Sequence, residues 1–300
     1  MKKICLPLTA RPHLARQSLL ISELQKRFDL DIWQPKEHKG NMSVSAILYA
    51  IEFNNYLVGK NYDCIVLRGD RYEVLGLAVM GAYKGFKIAH IEGGDISGDV
   101  VDSKVRHAIT HLSDYHFCTN KESHRRLINM GALVDNVWDF GSLDVEFAAK
   151  VKPRKLRAKP YILVAHHGIE NEDETELDKA LNHQKYDIIR VGGNNDYNKE
   201  YAAEEFAPED YINLLRYAKC AVGNSSSLLK EASILGTPIV LVGNRQQNRL
   251  MPSNVVQVPC KADKIKLAIQ FQMQNKHDKD LTYYKKDTSK MITKTLKEVL

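Results

Sequence analysis

The chain has 300 residues, 44% hydrophobic and 27% charged, with a formal net charge of +6. That length suits two domains better than one core, the balance is that of an ordinary folded chain, and no apolar run reaches the ~18 residues a membrane span needs. The basic excess gathers in "KVKPRKLRAKP" (150–160) and near the C-terminus without interleaved aromatic residues, which argues against a nucleic-acid groove and leaves a phosphorylated small substrate to use the charge.

"MKKICLPLTARPHL" carries too short an apolar run for a secretory signal and reads as a first strand; a cytoplasmic protein is expected. An alternation of strand and helix follows. "KKICLPL" (2–8) is a strand, 13–28 a helix, "LDIWQ" (30–34) a strand and 45–58 a helix. "DCIVLRG" (63–69) is a buried strand, 72–85 a helix, "FKIAHI" (86–91) a strand, and a further helix begins near residue 102. The basic, proline-containing stretch 150–160 marks a boundary. Strands are then expected at 161–166, 186–193, 219–224, 237–244 and 254–259, with helices in 171–183 and at 208–218, 227–236, 261–274 and 281–299. Near-continuous apolar strands separated by helices predict parallel sheets covered on both faces. The fold expected is α/β: two doubly wound Rossmann-like domains, 1–150 and 151–280, facing a central cleft, with a C-terminal helix in 281–300 that packs back on the first. The five cysteines, Cys5, Cys64, Cys118, Cys220 and Cys260, form no CxxC pair and read as free thiols, most of them buried.

Ligands of such sheets sit beyond the carboxyl ends of the strands, and polar residues fall in those turns. Arg11 follows the first strand, Asp70 "CIVLRG", Glu92 "FKIAH", His167 "YILVAH", and Ser225, Ser226 and Ser227 "KCAVGN". Helix-start amides with several small hydroxyls make an anion site; a plain serine N-cap is the simpler alternative. Glu231, one turn on, could accept from a ribose diol or be a solvated helix glutamate. Arg11, Arg245 and Arg249 could fork onto phosphate or be ordinary surface charges. The first turn lacks GxGxxG, which disfavours a dinucleotide, and no cofactor is expected.

Asp70, Glu92 and Asp102 are the acid–base candidates; three converging carboxylates should drive one to titrate high. Asp102 and Arg106 are four apart, which fits equally a site or a capped helix with an i,i+4 pair. Glu92, Asp95, Asp99 and Asp102 lack calcium-loop spacing, and His107 and His111 have zinc spacing without a glutamate between them, so no metal is expected. A protonated His167 would neutralise charge on a leaving diphosphate.

"GDRYE" (69–73), "HIEGGD" (90–95), "VDSKVRHAITHLSDYHF" (101–117) and "GNSSSLLKEASILGTPIVLVGNRQQNRL" (223–250) together resemble the hydrolysing UDP-N-acetylglucosamine 2-epimerases, a branch of a family with a glycosyltransferase-B-type fold. The "EGG" and serine-rich loops are similar to that branch; the non-hydrolysing branch prefers a Ser-Gly-Gly loop. The resemblance implies a UDP-sugar substrate, with Arg11, Ser225, Ser226 and Ser227 on the diphosphate and Glu231 on the ribose. Asp70, Glu92 and Asp102 would be catalytic acids, supported by Arg106 and His167. It further implies elimination of UDP, addition of water, release of N-acetylmannosamine and a homodimer, with no nucleic-acid or membrane partner. The chain departs from the family pattern in reading Leu-Thr-Ala-Arg in its first turn, in carrying Ser103 where an acid often follows Asp102, and in being short between 34 and 62 and between His167 and Ser225. A glycosyltransferase of the same fold, or a nucleotide-sugar-binding protein without turnover, are the competing readings.

Overall fold

The computed structural model describes residues 1–9, 11–36, 38, 41–97, 101–168, 175–182, 184–192 and 204–300, with the backbone alone at 11–13. The chain divides into two compact units: 1–146 with 285–300, and 147–284.

The first unit runs β1 (Lys3–Pro7), α1 (Arg11–Arg16), α2 (Ser18–Gln25), β2 (Asp29–Trp33), α3 (Met42–Tyr56), β3 (Cys64–Arg68), α4 (Tyr72–Tyr83), β4 (Lys87–Ile91), α5 (Val101–His111), β5 (Tyr115–Cys118), α6 (Lys121–Asn129), β6 (Val137–Asp139) and α7 (Leu143–Lys150). Its six strands are parallel in the order β2-β1-β3-β4-β5-β6. All five residues of β3 are buried, and their alternation splits them between two layers. Cys64 and Val66 pack with Leu20 and Leu24 of α2 and with Leu143. Ile65 and Leu67 pack with Phe53 of α3, Leu77 of α4 and Ile109 of α5. Strand order reverses between β1 and β3, the switch point beside which ligands of such sheets bind.

The second unit runs β7 (Tyr161–Ala165), α8 (Thr175–Leu181), β8 (Asp187–Arg190), α9 (Pro208–Tyr217), β9 (Cys220–Gly223), α10 (Ser226–Leu229), α11 (Glu231–Leu235), β10 (Ile239–Val242), β11 (Val255–Val258) and α12 (Ala262–Gln274). Its five parallel strands lie in the order β11-β10-β9-β7-β8, with the switch between β7 and β9. Ile162, Val164, Val222 and Val240 pack beneath Leu177 of α8 and Ile265 and Ile269 of α12.

The last helix, α13 (Thr288–Val299), belongs to the first unit. Ile292 and Leu296 join the α2 layer, and the Ser289 amide and hydroxyl donate to Glu146 at 2.9 and 3.1 Å.

The expected helices are broken more finely. Residues 13–28 form two helices meeting at Gln17, which is buried and leaves helical geometry with ψ 4°. Residues 227–236 break at Lys230, whose carbonyl accepts the Ser233 hydroxyl at 2.6 Å. The last helix begins at Thr288, because Tyr283 is buried with its hydroxyl on the Leu250 carbonyl and Asp287 is left-handed. Residues 115–150, unassigned from periodicity, contain β5, α6, β6 and α7.

Candidate functional site

At the carboxyl end of the first sheet, Asp70 follows β3 and Glu92 follows the adjacent β4. The two do not meet as bare carboxylates. Asp70 is ion-paired with Arg106, which α5 delivers with 4% side-chain exposure. Arg106 also donates to the Ser97 hydroxyl at 3.3 Å from both terminal nitrogens. Its guanidinium therefore goes to Asp70 and Ser97, not simply to an i,i+4 neighbour. Asp102 lies in the first turn of α5, half-buried. Ser103 closes the loop before it, accepting from the Ser97 amide at 2.9 Å.

Glu92 is tied differently. Its φ is +68°, the left-handed region, which costs a non-glycine residue on the order of 1–2 kcal/mol. Arg68, the last residue of β3, places one terminal nitrogen 3.1 Å from Glu92 and 2.6 Å from Asp144. The Ser142 hydroxyl lies 3.4 Å from the same Glu92 oxygen. Burial works against the Arg68 charge, but Asp144 and then Glu92 outweigh it and raise its pKa above the ordinary guanidinium value.

The rest of "HIEGGD" is architecture. His90, fully buried, approaches the Gly69 carbonyl with Nε2 at 2.8 Å and Thr110 Oγ1 with Nδ1 at 3.2 Å. A carbonyl can only accept, so Nε2 carries the proton and Nδ1 accepts from the threonine. Burial lowers the His90 pKa to about 3, so the ring is a neutral brace behind the Asp70 turn. Gly94 is left-handed, and a Cβ there would meet the Ser123 carbonyl at 2.5 Å. Asp95 is buried and accepts from Thr119 and Ser123 at 2.7 and 2.6 Å; it anchors the loop to α6 and faces no solvent. Asp99 lies outside the described residues, as does the side chain of Arg11.

In the second unit the switch-point turns are joined to each other. Asn224 is buried, accepts from the His167 amide at 2.7 Å and donates to the His167 carbonyl at 2.8 Å. That reciprocal pair fastens the turn after β7 to the serine turn after β9. Gly223 makes the approach possible: at φ +144°, a Cβ would stand 2.1 Å from the Ala165 carbonyl, which instead accepts from the amides of Asn224 and Ser225 at 3.2 Å each. Ser225 is the N-cap of α10 but makes no side-chain cap bond, so a plain serine cap does not describe it. Its hydroxyl lies 3.0 Å from that of Ser227. Ser227 is buried against the Tyr211 hydroxyl of α9, whereas Ser225 and Ser226 stay half-buried. Arg245 and Gln246 both donate to the Asn224 carbonyl, at 3.2 and 2.8 Å. Arg249 donates to Gln246 at 2.7 Å, one step behind. Glu231 is buried at the start of α11.

One electrostatic expectation needs correction. His167 is not poised as a cation: burial first, then Arg245 and His166, lower its pKa to about 3, and His166 falls to about 4 for the same chief reason. Both are neutral near pH 7. Sequence reasoning also missed Arg68, Asp144, Asn224 and Tyr211. The signals were slight: a charged residue closing an otherwise apolar strand at Arg68, and an asparagine between a glycine and three serines at Asn224.

Residues 12–297 match the profile of a family described as UDP-N-acetylglucosamine 2-epimerase. The chain belongs to the UDP-N-acetylglucosamine 2-epimerase family. Within it, a UDP-N-acetylglucosamine 2-epimerase of Neisseria meningitidis serogroup B is 32% identical over 237 residues, 69% of this chain and 63% of the relative; the chain thus spans under two thirds of that epimerase. A GDP/UDP-N,N'-diacetylbacillosamine 2-epimerase (hydrolyzing) of Campylobacter jejuni is 25% identical over 286 residues, 81% of this chain and 74% of the relative. Among solved structures, the Methanocaldococcus jannaschii epimerase in complex with UDP-GlcNAc and UDP superposes with a TM-score of 0.82 at 18% identity, covering 99% of each chain. Two parallel-sheet α/β units of glycosyltransferase-B type are therefore the fold of this epimerase-family chain.

Proposed function

We propose that the chain is a hydrolysing epimerase that converts UDP-N-acetylglucosamine, or a related UDP-N-acyl sugar, to UDP and the free 2-epimer. The observation that carries this reading is the arginine-held pair Asp70 and Glu92 on neighbouring strand ends, in a chain of the epimerase family. A carboxylate among Asp70, Glu92 and Asp102 takes the C2 proton, the C1–O bond breaks, and its electrons leave with UDP. Water then adds its hydroxyl to C1 of the glucal while C2 takes a proton on the opposite face. A carboxylate correctly placed for such transfers contributes roughly 10²–10⁴-fold. Arg11, Arg245 and the Ser225–Ser227 turn would receive the diphosphate and Glu231 the ribose, while Arg106 holds the Asp70 carboxylate in place. His167 enters neutral and acts as a hydrogen-bond donor at the diphosphate, gaining charge only as that anion arrives.

The branch is read from the "EGG" and serine-rich loops and supported by a hydrolyzing relative. The test is proton NMR of the protein with UDP-N-acetylglucosamine in deuterated water, without an acceptor. Free UDP and N-acetylmannosamine deuterated at C2 support the hydrolysing reading. UDP-N-acetylmannosamine with no free sugar means the non-hydrolysing reaction, and sugar transfer only on adding an acceptor means a transferase. A diacetylated amino sugar is the substrate to try next. We also propose a homodimer through α3, which exposes Val44, Ile47, Leu48 and Ile51 and whose one charged residue is Glu52. Two chains of net charge +6 meet there with little repulsion, and sedimentation equilibrium would read the mass.

A further inference from the structure

We propose that Arg68 and Asp144 form a clamp that turns the Glu92 carboxylate away from the face its strand assigns it and fixes its position, Arg68 acting as a positioning residue for the reaction. The proposal rests on the epimerase reading for the role of Glu92, and on geometry for the clamp.

Side chains alternate along a strand. In β4, Ile91 pairs in register with Arg68 and packs in the α2–α13 layer, while Ile88 and His90 face the α3–α5 layer, His90 reaching Thr110 of α5. Continued alternation would send Glu92 after His90 toward α5, where Arg106 already holds Asp70. Instead the left-handed backbone at residue 92 breaks the alternation, and the Glu92 carboxylate meets Arg68 and Ser142, on the Ile91 side. The two acids at adjacent strand ends are thereby given separate cations.

Arg68 is suited to this and to little else. Its side chain is 7% exposed, those of Glu92 and Asp144 are 12% and 13%, and its second terminal nitrogen is buried without a hydrogen-bond partner. One nitrogen bridges both carboxylates, and the Asp144 bond is the shorter. Asp144 thus takes the larger share of the guanidinium and leaves Glu92 on a longer, weaker bond. A group held this way can still accept a proton, whereas sole ownership of the arginine would make it a poorer base. Arg16 of α1 lies 3.9 Å from the same Asp144 oxygen. Without Arg68, the two carboxylates lose the cation they share and repel each other.

The test compares Arg68→Lys, Arg68→Leu, Asp144→Asn and the Arg68→Leu/Asp144→Asn double variant with the parent chain. The measurements are kcat and KM for UDP release, UDP affinity by calorimetry, and melting temperature. Arg68→Leu is expected to lower kcat about 100-fold, with KM and UDP affinity within threefold. Adding Asp144→Asn should restore at least tenfold, because it removes the uncompensated neighbour. Arg68→Lys, which keeps a bridging charge, should stay within tenfold of the parent. Asp144→Asn alone should lower kcat by severalfold at unchanged KM. A rise in KM at constant kcat would make Arg68 a substrate-binding group and overturn the clamp, as would a double variant no better than Arg68→Leu. If the parent chain turns nothing over, the epimerase reading has failed and the melts decide the clamp: it stands if the double variant melts above Arg68→Leu and falls if it does not.

Discussion

The two sheets end in opposite chemistry. Over the first, polar groups are ionic and already answered: Asp70 by Arg106, and Glu92 by an Arg68 shared with Asp144. Over the second the turns are held chiefly by backbone and amide, with Arg245 as a cation on the Asn224 carbonyl: Asn224 on His167, the Ala165 carbonyl on the serine turn, and two imidazoles that burial strips of charge. Carboxylates that must stay ionised in a half-buried place need a permanent cation beside them. A cradle for an anion needs donors without competing acceptors of full charge, and its rigidity comes from glycine and asparagine. On the proposed reading, the same topology would provide a proton-handling end and an anion-accepting end by changing what fills the strand-to-helix turns.

The largest effect should come from the ionic end. Asp70→Asn keeps shape and loses the charge that Arg106 answers; kcat should fall about 10³-fold while calorimetric UDP affinity stays within threefold. A comparable loss of UDP binding would end the division of labour between the sheets. Gly223→Ala attacks the other end. With a Cβ placed 2.1 Å from the Ala165 carbonyl, it should cost about 3 kcal/mol and remove UDP binding, read by thermal melts and titration. Wild-type melting with full affinity would mean that the close approach is unnecessary.

Acid should affect both ends through their histidines. The folded-state pKa values of His90 and His167 are lowered to about 3, from an ordinary 6.5, so on acidification the unfolded chain binds protons first. Their contribution is fully present above pH 6.5 and is lost as the pH falls toward 3, by up to about 1.4 kcal/mol per pH unit for the fully buried His90. Chemical denaturation from pH 7 to pH 5 should show this slope, and His90→Gln should flatten it. The smallest effect is expected at Ser103→Ala, which removes the acceptor of the Ser97 amide. About 1 kcal/mol of stability should go, with kcat changed less than threefold. A larger kinetic loss would show that the loop before α5 does more than hold its place.

Much of the fold was legible because buried parallel strands announce themselves: "CIVLR" and "YILVA" have no polar residue until their ends, and both are buried throughout. The turns were legible for the same reason, since polar residues stand out after apolar runs. Partnership was not. Periodicity places Arg106 one turn from Asp102, yet only the packing of α5 against the β3 turn carries its guanidinium to Asp70. Arg68 and Asp144 are 76 positions apart and meet on a single nitrogen, a relation that no local pattern encodes. Asp95 stands three residues from Glu92 in the acidic loop, and its burial against Thr119 and Ser123 makes it a tether. His167 looked like a ready cation, and desolvation, invisible in a string of letters, makes it neutral.

Helix α13 has a consequence for how the chain comes to be folded. Ile292 and Leu296 lie against the layer formed by Leu20, Leu24 and Ile4, so the first unit is sealed by a segment translated after the entire second unit. At roughly 5–20 residues per second, the second sheet can be whole while the first waits, on the order of ten seconds or more, with an oily flank uncovered. Chaperone dependence during synthesis should therefore track residues 1–146, and removing residues 285–300 should be more damaging than the length of that segment suggests.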